Sequence, residues 1–387
     1  RSLEKYFRLC LTTLPAKAQA EDLNKLALVF FAISGLDVLG RLELSATERE
    51  EYAKFVYSHL VSHPLGIQGF RATQTFKLDP GENYDVPNLA STFFALLLLL
   101  QFQSNYDLKV DRTKIMGFLQ KLQVTDANDP EYGSFKPVVD DTGAAFGESD
   151  LRHCYTALCV RKLLKYDELP LTKRQNDIDI KAVQKYLKSR ISFNGGMSSL
   201  QGTEPHAGLT FCGVAALKLS GFMFDQDWVQ DTLGWLVHRQ VDYPSTIEPY
   251  RYMHEAVLRE AEDYEYWEPQ DVGGFNGREN KFSDTCYSWW TGASLKLLIG
   301  DEGVALVDID RAEKFLLEET QNTMLGGFSK NAESFPDPLH SYLGLAALSL
   351  MKFAGGGAYE GSEEIKEVDE LLAAPKSLVD FLAKIYV

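Results

Sequence analysis

The sequence is short of positive charge. It carries 39 Lys and Arg residues against 55 Asp and Glu residues, which gives a formal net charge of −16 over 387 residues. A protein that binds nucleic acid needs a concentration of basic residues to neutralise phosphates, so this composition argues against nucleic acid as a partner. The excess acid serves solubility, and it would also favour basic protein segments as partners.

Paired cysteines and long apolar runs are also scarce. The five cysteines are Cys10, Cys154, Cys159, Cys212 and Cys286. Their spacing is not typical of a disulfide framework, which favours a reducing compartment and predicts a cytoplasmic protein. The most apolar run, from Phe93 to Leu100, is too short to span a bilayer, so we expect no transmembrane segment. Such a run predicts instead a helix that is buried on all sides.

Strand patterns are scarce as well, because few alternating β-branched runs are bounded by turns. The chain instead repeats itself. A Gly-aromatic or Gly-Gly-hydrophobic turn occurs five times, each time before a polar stretch and an apolar helix. The hydrophobic residues that mark these turns lie 53 to 78 residues apart and are Phe70, Phe135, Met197, Phe275 and Phe328. Glycines at these turns would supply the positive φ that other residues resist.

The repeats predict two kinds of helix. The helices after the turns are apolar nearly all round, and we expect them at Asn88–Leu100, Leu151–Leu164, Gly208–Leu219, Thr285–Leu298 and Leu339–Met351. Helices between them, such as Ile180–Leu187, carry charge on one face. Because an all-round apolar helix must lie inside and an amphipathic one can cover it, the sequence predicts an all-α fold with inner and outer rings of helices, an α/α toroid. An open solenoid is the structural alternative.

We expect one domain over residues 1–387. Two stretches break the rhythm of the repeats. An acidic, tyrosine-rich insertion is expected at 241–271, and a flexible acidic loop is expected at 354–368. Neither stretch carries an obvious catalytic motif.

Asp284 and Cys286 form half of a metal site. Their spacing suits a chain that enters a helix, with Asp284 at the cap and Cys286 in the first turn. A helix N-terminus also favours a thiolate. His340 occupies the equivalent point of the next repeat, which would face this pair in a closed ring. Asp, Cys and His with an open fourth position form the pattern of a catalytic zinc site, whereas a buried cysteine and a core histidine are the structural alternative.

Cationic and hydrogen-bonding side chains flank the predicted metal ligands. Arg278, Lys281 and Tyr287 lie within ten residues of each other, and His206 opens the inner helix of the third repeat, where an anion would bind readily. Together they could hold a diphosphate; solvated loop charges are the alternative for the two cations. No Walker-type loop supports nucleotide chemistry. No Asp-rich run that holds a diphosphate through magnesium occurs either, since Asp140 and Asp141 are only a pair on an expected loop.

The fourth and fifth repeats, GGFNGRENKFSDTCYSWW and LGGFSKNAESFPDPLHSYLGLAALSLM, closely resemble the β subunit of protein prenyltransferases. The similarity runs from about Leu26 to Met351. Within that family the stretch Leu26–Asp37 is most similar to protein geranylgeranyltransferase type I. The Rab-specific transferase shares the Cys-Tyr-Ser-Trp-Trp segment, so that segment does not discriminate between subfamilies.

The resemblance implies a role for each site residue. The zinc ligands would be Asp284, Cys286 and His340, with one ion per subunit. The diphosphate would be contacted, and its departure assisted, by His206, Arg278, Lys281, Tyr287 and Lys330. The isoprenoid pocket would be lined by Tyr155, Trp290, Cys212 and Arg152, although core packing is the alternative for the first three. One departure from the family is Leu209, which follows His206-Ala207-Gly208 at a position where the family varies.

Two positions imply the subfamily. Farnesyltransferases place a tryptophan at the position matched by Ala27, so a small residue there implies room for a twenty-carbon chain. They also place a magnesium-binding aspartate at the position matched by Lys330. A lysine there implies that an ammonium replaces magnesium, which is then not required.

The implied function is zinc-dependent transfer of a geranylgeranyl group from geranylgeranyl diphosphate to a protein thiol. The acceptor would be the cysteine of a C-terminal Cys-aliphatic-aliphatic-X tail, with X often Leu, on small GTPases whose tails can be polybasic. The chain would act as the catalytic subunit of a heterodimer with a helical α subunit. The alternatives within the family are a farnesyltransferase or a Rab-type β subunit. More remote alternatives are a terpene-cyclase-like enzyme, which needs an acidic proton donor inside the ring, and a non-enzymatic toroid binding domain.

Overall fold

Six apolar helices form a closed inner ring. The computed structural model describes residues 2–77, 79, 84–242, 268–357 and 359–386. Within them, the first to sixth inner helices are Lys25–Val38, Leu89–Gln101, Leu151–Leu163, Ala207–Leu219, Thr285–Ile299 and Pro338–Phe353. Each inner helix packs on the next, and the sixth returns to the first. The predicted α/α toroid is therefore confirmed, and the open solenoid is excluded.

More polar helices surround this ring. They are Ser2–Thr12, Ala46–Tyr57, Arg112–Leu122, Ile180–Ser189, Gln226–Val237 and Ile309–Lys314, the last of which continues as the π-helix Phe315–Thr320. Two further short helices are Asp301–Val304 and Lys376–Leu382. A nine-residue 3-10 segment with a kink at Glu21 occupies Ala16–Asn24. Single 3-10 turns occupy Gln74–Phe76, Tyr106–Leu108, Leu171–Lys173, Pro269–Asp271 and Ser362–Glu364.

Strands are few and short in the described part of the chain, as the sequence predicts. Three antiparallel hairpins pair Leu60–Ser62 with Gln68–Phe70, Val138–Val139 with Ala145–Phe146, and Val368–Asp369 with Ala374–Pro375. The first two lie in loops that lead into inner helices, and the third lies near the C-terminus.

The five inner helices that the repeats predict are all present, with ends within about two residues of the prediction. The first inner helix, Lys25–Val38, was not part of the predicted repeat. It follows the 3-10 segment Ala16–Asn24 and not a glycine turn. The marker that reveals the other repeats is therefore missing there, although the helix is as apolar as its neighbours.

Backbone hydrogen bonds align the starts of the inner helices. In four of the six inner helices, the N–H of the capping residue donates to the carbonyl of the hydrophobic residue that marks the preceding turn. The pairs are Asn88–Phe70, His206–Met197, Asp284–Phe275 and Asp337–Phe328. The next N–H donates into the following repeat, in the pairs Leu89–Pro137, Ala207–Gly277 and Thr285–Lys330. These bonds hold the loops of neighbouring repeats at one end of the ring.

The C-terminal segment lies against the ring. Within the stretch 354–368, Ile365 and Val368 are buried in the core, and Lys366 contacts Asp37 at the end of the first inner helix with an Nζ–Oδ1 distance of 2.9 Å. The expected flexibility of this stretch stays a prediction. Of the expected insertion at 241–271, residues 243–267 lie outside the described residues.

Two further expectations concern thiols and membranes. All five cysteines are free, in agreement with the absence of a disulfide framework. Among the described helices, none is both long and apolar enough to cross a membrane.

One glycine recurs at the same point of four turns. Gly133, Gly195, Gly273 and Gly326 have φ between +89° and +92°, as the turns predict. A Cβ on any of them would lie only 2.2–2.4 Å from backbone atoms of an outer helix, or of Ser2 at the start of one. Both the backbone conformation and the close approach of chain segments therefore require glycine here.

We expect Gly195→Ala to lower the free energy of unfolding by about 3 kcal/mol or more, because it combines a left-handed alanine with a clash against backbone. Gly202→Ala is the matched control, since Gly202 has φ +78° and nothing lies within 4 Å of its added Cβ. It should cost only about 1–2 kcal/mol. Urea unfolding of both variants measures the difference, and equal losses would contradict the packing role.

Candidate active site

Three metal-ligating side chains meet where the fifth and sixth inner helices begin. Asp284 caps the fifth, and its Oδ1 accepts the backbone N–H of Cys286 at 2.8 Å. His340 lies in the first turn of the sixth, with Nε2 3.2 Å from Asp284 Oδ1. The ligand atoms of Asp284, Cys286 and His340 all lie within 4.8 Å of one another. A carboxylate, a thiol and an imidazole at this separation fit one zinc ion with small adjustments.

Asp337 orients the histidine. It caps the sixth inner helix, with Oδ1 accepting the N–H of His340 at 2.9 Å and Oδ2 lying 2.6 Å from His340 Nδ1. This contact leaves Nε2 pointing toward Asp284, as metal-ligating histidines commonly require. Asp337, and not His340, is the structural equivalent of Asp284, since both are helix caps. Sequence reasoning missed Asp337, although its place three residues before His340 matches a capping pattern.

The electrostatics of this cluster favour added positive charge. Burial acts to lower the pKa of His340, but its contacts with Asp284 and Asp337 outweigh burial and raise that pKa to about 9. Burial and then the charge of Asp284 raise the pKa of the Cys286 thiol. At neutral pH the cluster therefore holds a proton on His340. A bound cation would neutralise the carboxylates of Asp284 and Asp337 in place of that proton. Metal binding would displace that proton and the thiol proton.

The loop of residues 276–282, the cation loop, adjoins this cluster. The carbonyl of Gly277 accepts the N–H of Ala207 at 2.8 Å. A Cβ on Gly277 would lie 2.2 Å from the ring of Tyr287, so this ring packs directly on the loop. Arg278 is half-exposed and pairs with Glu204 at 3.3 Å, while Lys281 is exposed on the same loop. Their cationic ends are thus available to a solvent-borne anion.

His206 and Tyr287 form a polar pair beside the loop. His206 caps the fourth inner helix, and its Nδ1 accepts the N–H groups of Gly208 and Leu209. Because Nδ1 accepts, the ring proton is assigned to Nε2, which lies 2.9 Å from Tyr287 Oη. The Tyr287 hydroxyl is then left to donate to a ligand. Burial, and next the charge of Arg278, lower the pKa of His206, which favours this neutral form.

An apolar cavity of about 600 Å³ lies inside the ring. It is lined by the aromatic residues Phe30, Phe31, Phe93, Phe94, Tyr155, Trp290 and Tyr342, and also by Arg152, His206, Leu209, Cys212, Leu372 and Ala373. Its size and lining are those of a small-molecule site with a few polar groups. Arg152 lies on the wall and makes a two-pronged contact with Asp150, at 2.9 and 2.6 Å.

The predicted residues divide into three groups in space. Asp284, Cys286 and His340 form the cluster that could hold a metal ion. The cavity is lined by Arg152, Tyr155, His206, Cys212 and Trp290. Arg278, Lys281, Tyr287 and Lys330 lie outside the cavity lining. Lys330 is brought to the cluster by the hydrogen bond from Thr285 N–H to its carbonyl, and its charge acts on Cys286.

Ala27 does not line this cavity, which is the larger of two neighbouring cavities. It lines a neighbouring cavity of about 410 Å³, which shares Ala90 and Phe94 with the large one. Sequence reasoning also missed Asp150, whose capping position matches that of Asp284, and the residues Leu372 and Ala373 near the C-terminus. No pattern in the sequence connects those last two with the repeats.

Comparison with known proteins agrees with this architecture. The model of the prenyltransferase alpha-alpha toroid domain matches residues 1–374. The chain is 32% identical over 362 residues to the geranylgeranyl transferase type-1 subunit beta of Arabidopsis thaliana, covering 90% of this chain and 84% of that protein. It is 28% identical over 368 residues to the same subunit of Dictyostelium discoideum, covering 90% and 89%.

A solved structure is also similar. Candida albicans protein geranylgeranyltransferase-I complexed with GGPP superposes with a TM-score of 0.85 at 40% sequence identity, covering 99% of this chain and 97% of that one. The prediction of a prenyltransferase enzyme most similar to type-1 geranylgeranyl transferase β subunits is confirmed. The chain belongs to the family of the prenyltransferase alpha-alpha toroid domain.

Proposed function

We propose that this chain is the catalytic β subunit of a zinc-dependent protein geranylgeranyltransferase. The donor would be geranylgeranyl diphosphate, and the acceptor would be the cysteine of a C-terminal Cys-aliphatic-aliphatic-X tail. One observation carries the proposal: the Asp284, Cys286 and His340 cluster lies next to the cation loop and to the His206 end of an apolar cavity. A thiol, a diphosphate and a lipid would each find a matching surface within one site.

Zinc would be held by Asp284, Cys286 and His340, with Asp337 orienting the histidine. When bound there, zinc would act as a Lewis acid and lower the pKa of a coordinated thiol from its usual value near 8.5. The three side chains leave a fourth ligand position for the acceptor cysteine.

The cation loop and its neighbours would take the diphosphate. Transfer forms a bond between C1 of the donor and the acceptor sulfur, which reacts as a thiolate after losing its proton to solvent, and breaks the bond between C1 and a diphosphate oxygen. Negative charge then grows on the departing diphosphate. Arg278, Lys281 and Lys330 supply positive charge, and the Tyr287 hydroxyl supplies a hydrogen bond fixed by His206. Arg278 would exchange Glu204 for the diphosphate, which is feasible because the pair is half-exposed.

The cavity would take the isoprenoid. Its aromatic lining removes apolar surface from water and keeps water from the reacting carbon. Arg152, held by Asp150, and His206 place polar groups on the same lining. The lipid head would therefore lie where the cavity meets the cation loop.

Partners and location complete the proposal. A helical α subunit would complete the enzyme, and small GTPases with polybasic tails would bind at its acidic surface. Magnesium would not be required. The enzyme would be cytoplasmic. A farnesyltransferase or Rab-type β subunit is less favoured by the two type-1 relatives.

The remote alternatives have less support. A cyclase needs a protonated acid in the ring, yet Asp140 caps a hairpin turn outside the cavity lining. In the cavity, burial acts to raise the pKa of Asp150, but contacts of His153 and Arg152 outweigh it and hold that pKa below its usual range. A binding domain would have no need for a metal cluster beside a cation loop.

Cys286→Ala and His340→Ala should each remove most of the zinc from the purified heterodimer, which should otherwise hold about one equivalent per β subunit. Cys10→Ala is the matched control, because Cys10 is a half-buried thiol outside the cluster, and it should keep its zinc. Elemental analysis by mass spectrometry measures the content. A full equivalent of zinc in the Cys286→Ala variant would contradict the assignment of this metal site.

Lys330→Ala should lower kcat without magnesium by roughly 10²-fold, because one positive donor to the departing diphosphate is lost. Lys330→Asp should in addition make the rate respond to added magnesium. Lys5→Ala removes an exposed lysine of an outer helix and should leave kcat unchanged. If Lys330→Ala keeps the wild-type rate in the absence of magnesium, the lysine does not replace the metal.

Ala27→Trp should shift the donor preference toward fifteen carbons, because its bulk fills the cavity that shares Ala90 and Phe94 with the large one. We expect the ratio of kcat/KM for the twenty-carbon to the fifteen-carbon donor to fall on the order of tenfold. Competition between the two diphosphates measures this ratio. An unchanged ratio would remove Ala27 from the determinants of chain length.

A further inference from the structure

The C-terminal hairpin carries a tight turn that reaches into the ring. This floor turn comprises residues 369–374, which include the inner ends of the paired strands Val368–Asp369 and Ala374–Pro375. Asp369 Oδ1 accepts the N–H groups of Leu371 and Leu372 at 3.1 and 2.8 Å. The backbone of the turn is therefore fixed by its own carboxylate.

Two buried tyrosines hold the turn from inside the ring. The Tyr155 hydroxyl donates to the carbonyl of Leu371, and the Tyr342 hydroxyl donates to the carbonyl of Ala373, both at 2.9 Å. Their side chains line the cavity. Leu372 lies between the two anchored carbonyls, is only 3% exposed and lines the same cavity. Its side chain is thus a fixed part of the cavity wall.

A buried carboxylate anchors both flanks of the turn. Asp37, at the end of the first inner helix, is contacted by Lys366 Nζ at 2.9 Å and by Ser377 Oγ at 2.7 Å. Gln101 of the second inner helix donates to the same carboxylate at 2.9 Å. Residues before and after the floor turn are therefore tied to the ring, and the turn cannot withdraw without breaking these contacts.

The cavity thus has two different ends. His206 and Arg152 line it from the N-terminal ends of their inner helices, and the residue after His206 is bonded to the cation loop through the carbonyl of Gly277. The floor turn is tied through its flanks to Asp37, at the C-terminal end of an inner helix. A lipid whose head is held at the polar end would point its tail toward Leu372.

We propose that Leu372 is a specificity-determining residue that limits the length of isoprenoid chain the cavity accepts. This inference rests on the proposed function. It adds a second determinant to Ala27, which lies at the neighbouring cavity and not on the large one. A chain can lengthen toward the floor only if the side chain at position 372 becomes smaller.

The test measures kcat/KM of the heterodimer for diphosphates with fifteen, twenty and twenty-five carbons and one acceptor peptide. Leu372→Ala should raise the ratio of the twenty-five-carbon to the twenty-carbon donor on the order of tenfold, and Leu372→Trp should lower the ratio of the twenty-carbon to the fifteen-carbon donor by a similar factor. If the Leu372→Trp variant does not fold, the ratio measured for Leu372→Ala decides whether the inference holds.

Leu378→Ala and Leu378→Trp are the matched controls. Leu378 is buried on the helix that follows the hairpin but does not line the cavity, so both ratios should stay at wild-type values. Folded, zinc-loaded Leu372 variants with unchanged ratios would overturn the inference while leaving transfer by the wild type intact. A wild-type heterodimer that uses none of the three donors would overturn the proposed function itself.

Discussion

The structure depends on a backbone hydrogen bond that joins most of the glycine turns to the residue that caps the next inner helix. In four of the six inner helices the capping N–H donates to the hydrophobic residue of the turn, and the following N–H often reaches into the next repeat. The polar caps of neighbouring inner helices are therefore brought together at one end of a closed ring. Asp284, Asp337 and His206 are all such caps. The candidate site is in this sense a consequence of how the repeats are joined.

This arrangement separates two kinds of environment along one cavity. Carboxylates, an imidazole, a phenol and the cations of neighbouring loops lie at the N-terminal ends of the inner helices. The interior of the ring is aromatic and apolar. Helix N-termini favour negative charge, so an anion gains from both the helix ends and the side chains. An amphipathic donor with an anionic head and an apolar tail matches this gradient. The raised pKa of His340 has the same origin, since the buried carboxylate of Asp284 and the partly exposed carboxylate of Asp337 both contact its ring.

Much of this could be predicted from the sequence. The glycine turns and the all-round apolar helices predict the toroid because both signals are local and recur. Asp284, Cys286 and His340 are also predictable, since a closed ring must bring neighbouring repeats together. The first inner helix escaped prediction because it lacks the glycine marker. Asp337 was overlooked beside His340, although a search for helix caps could have found it.

Other features depend on contacts between distant segments. The floor turn is held at the cavity by hydrogen bonds from Tyr155 and Tyr342, which lie 216 and 31 residues away from their partners in the sequence. No repeat or motif in the sequence predicts such contacts. Ala27 lines a separate cavity, and Phe94, which lines both cavities, packs against Phe30, Phe31 and Phe93. Side-chain packing of this kind is set by the whole ring and not by any local pattern.

The central claim is that the cluster holds a zinc ion whose open position receives the acceptor thiol. X-ray absorption at the zinc edge of the heterodimer, with and without a Cys-aliphatic-aliphatic-Leu peptide, tests it most directly. The account predicts one sulfur ligand from Cys286 with nitrogen and oxygen ligands in the free enzyme, and a second sulfur ligand when the peptide binds. A sulfur count that stays at one with saturating peptide, or an enzyme that turns over without zinc, would contradict it.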